Sequence, residues 1–250
     1  MKSLVRWSIT LGLVGTTVLG AGFGQNLKAF ALPQDQILQK LKPIPVFTIA
    51  DDKGAPLVAS ENNKKIAGVF ISQQDAQKFV ERLQKGNPEL ARKVKVVPVS
   101  LSEVYQLAEA NAKKQDGLNF AYVPTQAQVD SAKQLLGKEY KGGVPLFVAR
   151  GGKDNGYLTV QQNNQEVIPF FFEKQPLQQM LDRFKQEKPD LASTIKIEVV
   201  PLEGVISALE KGNDAILTKI MLVPTQESID FLRSNSANAN INPQSPQQKK

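Results

Sequence analysis

Three stretches of this 250-residue chain hold residue types that could do chemistry. The first is ARGGKDNG, Ala149 to Gly156. A phosphate cradle needs glycines that lead into a helix N-terminus, with Lys followed by Ser or Thr. Here a strand-like run, Tyr157 to Val160, follows instead, so the stretch reads as a hairpin turn. The second is Asp51-Asp52, which could ligate a cation. These acids precede Lys53-Gly54 in a turn, and no further acid lies at the spacing of a calcium loop. The third is the pair Arg82 and Arg183, which read as helix-surface charge beside Glu81 and Asp182. Paired carboxylates for hydrolysis could come from anywhere in a fold, and the sequence selects no pair. The chain has no histidine and no cysteine, which removes disulfides, thiolate and imidazole catalysis and nearly all zinc or copper sites. No catalytic residue, cofactor-binding residue or metal ligand is assigned, and the expectation is a non-enzymatic protein without a cofactor.

The elements around these stretches occur twice. VPTQ appears at Val123 to Gln126 and again at Val223 to Gln226, each time between a strand-like and a helix-like run. Phe70 to Ala91 matches Phe171 to Ala192, and Pro45-Val46-Phe47 matches Pro145-Leu146-Phe147. Matches in order at a nearly constant offset indicate duplication of a domain-length unit. Each copy reads as two short strands around a turn, then a continuous apolar strand covered on both faces. A helix follows, with its stripe at Ala76, Phe79, Val80 and Leu83, or Leu177, Met180, Leu181 and Phe184. Strand, helix, strand and helix complete the unit. Ser100 and Glu103 have capping-box spacing, Thr125 and Thr225 read as N-caps, and Gln128 would complete a second box. VPTQ is then a strand-to-helix joint. The fold class is mixed α/β (α+β). Two pseudo-twofold-related β-β-β-α-β-α-β-α repeats carry mixed sheets with packed helices. A short helix from Pro33 to Lys42 precedes the first repeat.

The N-terminus has a positive start at Lys2 and Arg6, a glycine-interrupted apolar run from Ile9 to Phe23, and Ala29-Phe30-Ala31. This is the pattern of a secretory signal cleaved after Ala31; the alternative is a retained membrane anchor. The expected organisation is a signal peptide over 1–31, a first repeat with its N-terminal helix over 32–137, a second repeat over 138–234, and a disordered Asn/Gln/Ser/Pro-rich tail over 235–250. Loss of Lys2, Arg6 and Lys28 with no acid lowers the formal charge from +7 to +4. The remaining basic residues are dispersed among acids, which speaks against a nucleic-acid partner. Large apolar residues recur at matched positions. Phe70 with Phe171, and Tyr122 with Leu222, are the candidates for two related apolar grooves, against the alternative that they are core.

GVFISQQDAQKFVERL, VKVVPVSLSEVYQLAE, LNFAYVPTQAQVDSAKQLL and GVPLFVARGG resemble the Tic22-like family, the soluble component of the chloroplast envelope translocon and its cyanobacterial relatives. The resemblance runs from about Leu32 to Ser234. It implies a butterfly-shaped, non-enzymatic protein with an apolar pocket on each half. It also implies a chaperone-like role in carrying precursor proteins, notably outer-membrane barrel precursors, and contact with the barrel-assembly machinery and the membrane periphery. Plastid members carry transit peptides and work between the two envelope membranes. The secretory leader departs from that pattern and points to the periplasm, with the thylakoid lumen as the other compartment. The competing expectation is an exported binding protein for a small apolar ligand or lipid. The oligomeric state is left open.

Overall fold

The computed structural model describes residues 12–14, 31–61, 64–114, 116–189 and 193–239. The expected leader therefore lies outside the described residues except at Ala31 and at a short strand, β1 (Gly12–Val14). After it come α1 (Gln34–Leu41), β2 (Pro45–Ala50), β3 (Val58–Glu61), β4 (Lys64–Phe70), α2 (Gln73–Gly86), α3 (Pro88–Ala91), β5 (Lys95–Ser100), α4 (Leu101–Ala112), β6 (Leu118–Val123) and α5 (Gln126–Leu136). The second half contains β7 (Pro145–Gly151), β8 (Gly156–Gln162), β9 (Gln165–Phe171), α6 (Lys174–Glu187), β10 (Lys196–Pro201), α7 (Leu202–Lys211), β11 (Ile220–Val223) and α8 (Gln226–Ala239). Apart from α1 and α3, the strands and helices of the two halves follow one order, β-β-β-α-β-α-β-α, among the described residues. α8 reaches Ala239, so the first five residues of the expected tail are helical, while 240–250 lie outside the described residues.

The chain forms a five-stranded and a six-stranded sheet, both mixed. In the first, β2 pairs antiparallel with β4 and β5, and β6 runs parallel to β4. In the second, β7 pairs antiparallel with β9 and β10, and β11 runs parallel to β9. Pleat alternation sends neighbouring residues to opposite faces. Val46, Val69, Leu146, Val148, Ile168 and Phe170 meet α1, α4 and α7 in one central core that joins the two sheets. The alternate residues face outward. Phe47, Ile49 and Phe70 pack with Ala76 of α2, and Phe147, Ala149 and Phe171 with Leu177 of α6.

The outer layer is exchanged between halves. Ala132 of α5 is buried in the outer core of the second half, and Phe231 of α8 stands edge-on against Phe47 of the first, with ring centroids 5.3 Å apart. VPTQ is thus a joint that sends each final helix across to the other sheet. Packing does not divide the described residues at the expected boundary near residue 137, since α5 lies on the second sheet and α8 on the first.

Candidate functional site

The capping pattern decides where the outer helices start. Ser100 and Glu103 form the capping box that their spacing predicts: Ser100 Oγ accepts from the Glu103 amide, and a Glu103 carboxylate oxygen accepts from the Ser100 amide. Thr225 Oγ1 accepts from the Ser228 amide. Thr125 is also an N-cap, but its hydroxyl makes no capping bond. Gln128 does not close a box there. Its Oε1 instead accepts from the Lys174 amide, an orphan donor at the start of α6 in the opposite half. Glu227 serves the start of α2 in the same way, accepting from the Gln74 amide.

On the first sheet's outer face these helices leave part of the surface uncovered. A cavity of about 540 Å³ opens between β3, β4, β6, α2 and α3, walled by Ile66, Gly68, Phe70, Phe79, Leu90 and Ala121 among others. Gly68 and Ala121 are register partners on β4 and β6. A Cβ on Gly68 would stand 3.2 Å from Cε2 of Phe70, so glycine lets that ring fold back over the strand. The ring also meets Phe79 at 5.6 Å. In the second half the corresponding register pair is Pro169 and Met221, whose side chains stand on the corresponding face. The small pair therefore accounts for the recess in one half.

A second apolar cavity, about 270 Å³, lies on the inner face of the second sheet. It is walled by Tyr157, Ile168, Phe170, Val205, Ala208 and Leu217. The two recesses occupy opposite faces of their sheets, so they are not the matched pair that repetition predicts. A further recess of about 500 Å³ beside α6 has Lys174, Asp182, Lys185 and Lys196 among its walls and is not apolar in character.

Of the four sequence-selected residues, the structure places Phe70 in the wall of the first recess. Phe171 and Leu222 are buried, in the second outer core and the central core respectively. Phe171 packs on the outer face with Phe147 and Leu177, and pleat alternation turns Leu222 inward between Met221 and Val223. Tyr122 is half-buried against the central core. Burial, then the charges of Glu203 and Glu210, push its phenol up to about 12. Tyr105 is likewise raised to about 12 by burial, then by Glu210 and Glu109. Both phenols stay neutral at ordinary pH. Sequence reasoning missed Gly68 and Ala121. The signal was available in the aligned repeats, as a small pair facing a large one.

The two stretches read as turns are turns. Asp51 accepts from the amides of Lys53 and Ala55. Gly151 and Gly156 are register partners closing the hairpin between β7 and β8. Among the described residues no three acidic side chains gather as a metal site.

Two mixed sheets sharing a central core, with crossed outer helices and apolar recesses on different faces, define the class: a two-sheet α/β protein built around apolar clefts. The chain belongs to the Tic22-like family, whose model matches residues 10–234. It is similar to the chloroplastic TIC 22 protein of Pisum sativum, 24% identical over 209 residues, covering 82% of this chain and 78% of that one. A chloroplastic TIC 22 protein of Arabidopsis thaliana is 26% identical over 170 residues, covering 66% and 58%. Among solved structures, Anabaena Tic22, described under protein transport, superposes with a TM-score of 0.72 at 28% identity, over 86% of this chain and all of that one. Tic22 from Plasmodium falciparum shares the fold with a TM-score of 0.65 at 21% identity, over 81% of this chain and 98% of that one.

Proposed function

We propose that the protein is an exported, chaperone-like carrier in protein transport, holding unfolded or precursor polypeptides in its apolar recesses without catalysing a reaction. The observation that carries this reading is the recess beside Phe70, walled by aliphatic and aromatic side chains apart from Arg82 and open to solvent. A polypeptide crossing an aqueous compartment before folding exposes apolar side chains that aggregate. Outer-membrane barrel precursors have an apolar face of this kind and are the proposed clients, with delivery to the barrel-assembly machinery at the periplasmic membrane surface. The family relation supports a transport role. The secretory leader supports the periplasm. Two separate recesses favour an extended client over one small ligand, because linked sites add avidity.

The test pairs thermal melting with light scattering from a denatured barrel protein. Ala121→Met copies into the first half the residue that the second half carries at that position. It is expected to leave the melting temperature within a few degrees while sharply weakening suppression of aggregation. Phe70→Ala is expected to lower both, since Phe70 is largely buried. If wild-type protein does not slow aggregation, the carrier reading fails and the small apolar ligand takes its place.

A further inference from the structure

We propose that the recess beside Phe70 receives the carboxy-terminal residue of a polypeptide, with its side chain against Phe70 and Phe79 and its α-carboxylate on Arg82. This inference rests on the reading of the recess as polypeptide-binding. Arg82 is the one charged residue in its wall. The guanidinium has no ion pair or hydrogen bond among the described residues. Neighbouring acids are engaged elsewhere or turned away. Asp75 pairs with Lys78 at 3.2 Å, and Glu89 with Arg92 at 3.2 Å. Glu81 is one position away on α2, about 100° around the helix.

A solvated guanidinium at the rim of an apolar recess costs nothing while the recess is open. Once a ligand closes over it, the cation loses water and needs an anion in its place. A purely apolar ligand would leave it stranded. A ligand with one carboxylate next to a large apolar group satisfies both parts of the site, and the planar guanidinium can take the carboxylate with two parallel hydrogen bonds. A chain end has that composition within one residue. The floor suits a flat side chain, because the small Gly68–Ala121 pair leaves room beside the Phe70 ring, which lies over Gly68 and is tilted against Phe79. A fatty acid offers the same chemistry and is the rival source.

The experiment uses the full chain and a fluorescent peptide ending in Phe, as free acid and as C-terminal amide. The free acid is expected to bind about tenfold more tightly, the usual scale of a charge-assisted bond. Arg82→Gln should abolish that preference, leave the amide's affinity unchanged, and leave the melting temperature unchanged because Arg82 is exposed. Ala121→Met should weaken both peptides. Equal binding of acid and amide by the wild type overturns the carboxylate proposal and leaves the recess reading standing. If Ala121→Met weakens neither peptide, the recess reading itself falls. Oleate displacing the free-acid peptide at lower concentration than unlabelled peptide does would assign the site to fatty acids and overturn the chain-end proposal.

Discussion

Glu166 shows what single residues contribute away from the recess. Its carboxylate accepts from Lys219 Nζ at 2.6 Å and from Thr159 Oγ1 at 2.8 Å, joining β8, β9 and the short helical turn before β11. The Lys219 hydrogen bond, then that of Thr159, hold its carboxyl below the usual carboxylate range. A depressed folded-state value means that the unfolded chain binds the proton more readily. The stabilisation is therefore complete above the ordinary carboxyl value, near 4.3, and disappears as pH falls through the folded one. Glu166→Gln is expected to lower the melting temperature at pH 7 and to converge on the wild type as the pH falls through that lowered folded-state value. Parallel melting curves over the whole range would remove Glu166 from the account of acid stability. This ion pair joins residues 53 positions apart, and nothing local in the sequence announces it. Phe70 was legible as a large apolar residue on a repeated strand. Its place in the wall of a recess was not, because the recess depends on Gly68 and Ala121 across the sheet.

At the scale of elements, periodicity located nearly every strand and helix, since burial on one face leaves its period in the sequence. The exchange of α5 and α8 is a different matter. An apolar stripe says that a helix face is covered, not by which sheet. Only the tertiary bonds decide that, such as Gln128 on the Lys174 amide and Glu227 on the Gln74 amide. The same bonds explain why the capping expectation failed at Thr125: Gln128 serves the half-buried start of another helix. If α8 is part of the first half's outer layer, then Phe231→Ala should destabilise that half. The expected loss is below the roughly 3–5 kcal/mol of a fully buried phenylalanine, because Phe231 is only half-buried. It should still include the edge-on contact with Phe47, worth about 0.5–1.5 kcal/mol beyond its area. Hydrogen exchange reports the location. Faster exchange in β2 and β5 supports the exchange of helices, and faster exchange confined to β11 would contradict it.

For the molecule as a whole, maturation at Ala31 is expected to add an interaction and not merely remove a leader. The Leu32 amide donates to the Leu209 carbonyl at 3.2 Å. Leu209 lies in the last turn of α7, where carbonyls lack intrahelical partners and the helix end carries partial negative charge. Cleavage after Ala31 would turn that amide into a charged amine at the same place. A cation at a helix C-terminus contributes about 0.3–1 kcal/mol. α1 then follows directly, and Lys40 Nζ donates to the carbonyls of Thr218 and Ile220, so the new terminus would be held to the second half at both ends of one short helix. β1, paired with Tyr157 to Thr159 of β8, would leave with the leader. Two measurements check this. Mass spectrometry of the exported protein should find Leu32 first. A chain beginning at Leu32 should melt above its Nα-acetylated form at low salt, with the gap narrowing as salt screens the charge. A different first residue would remove the cleavage site, and coincident melting of the two forms would show that the new amine does not stabilise the fold.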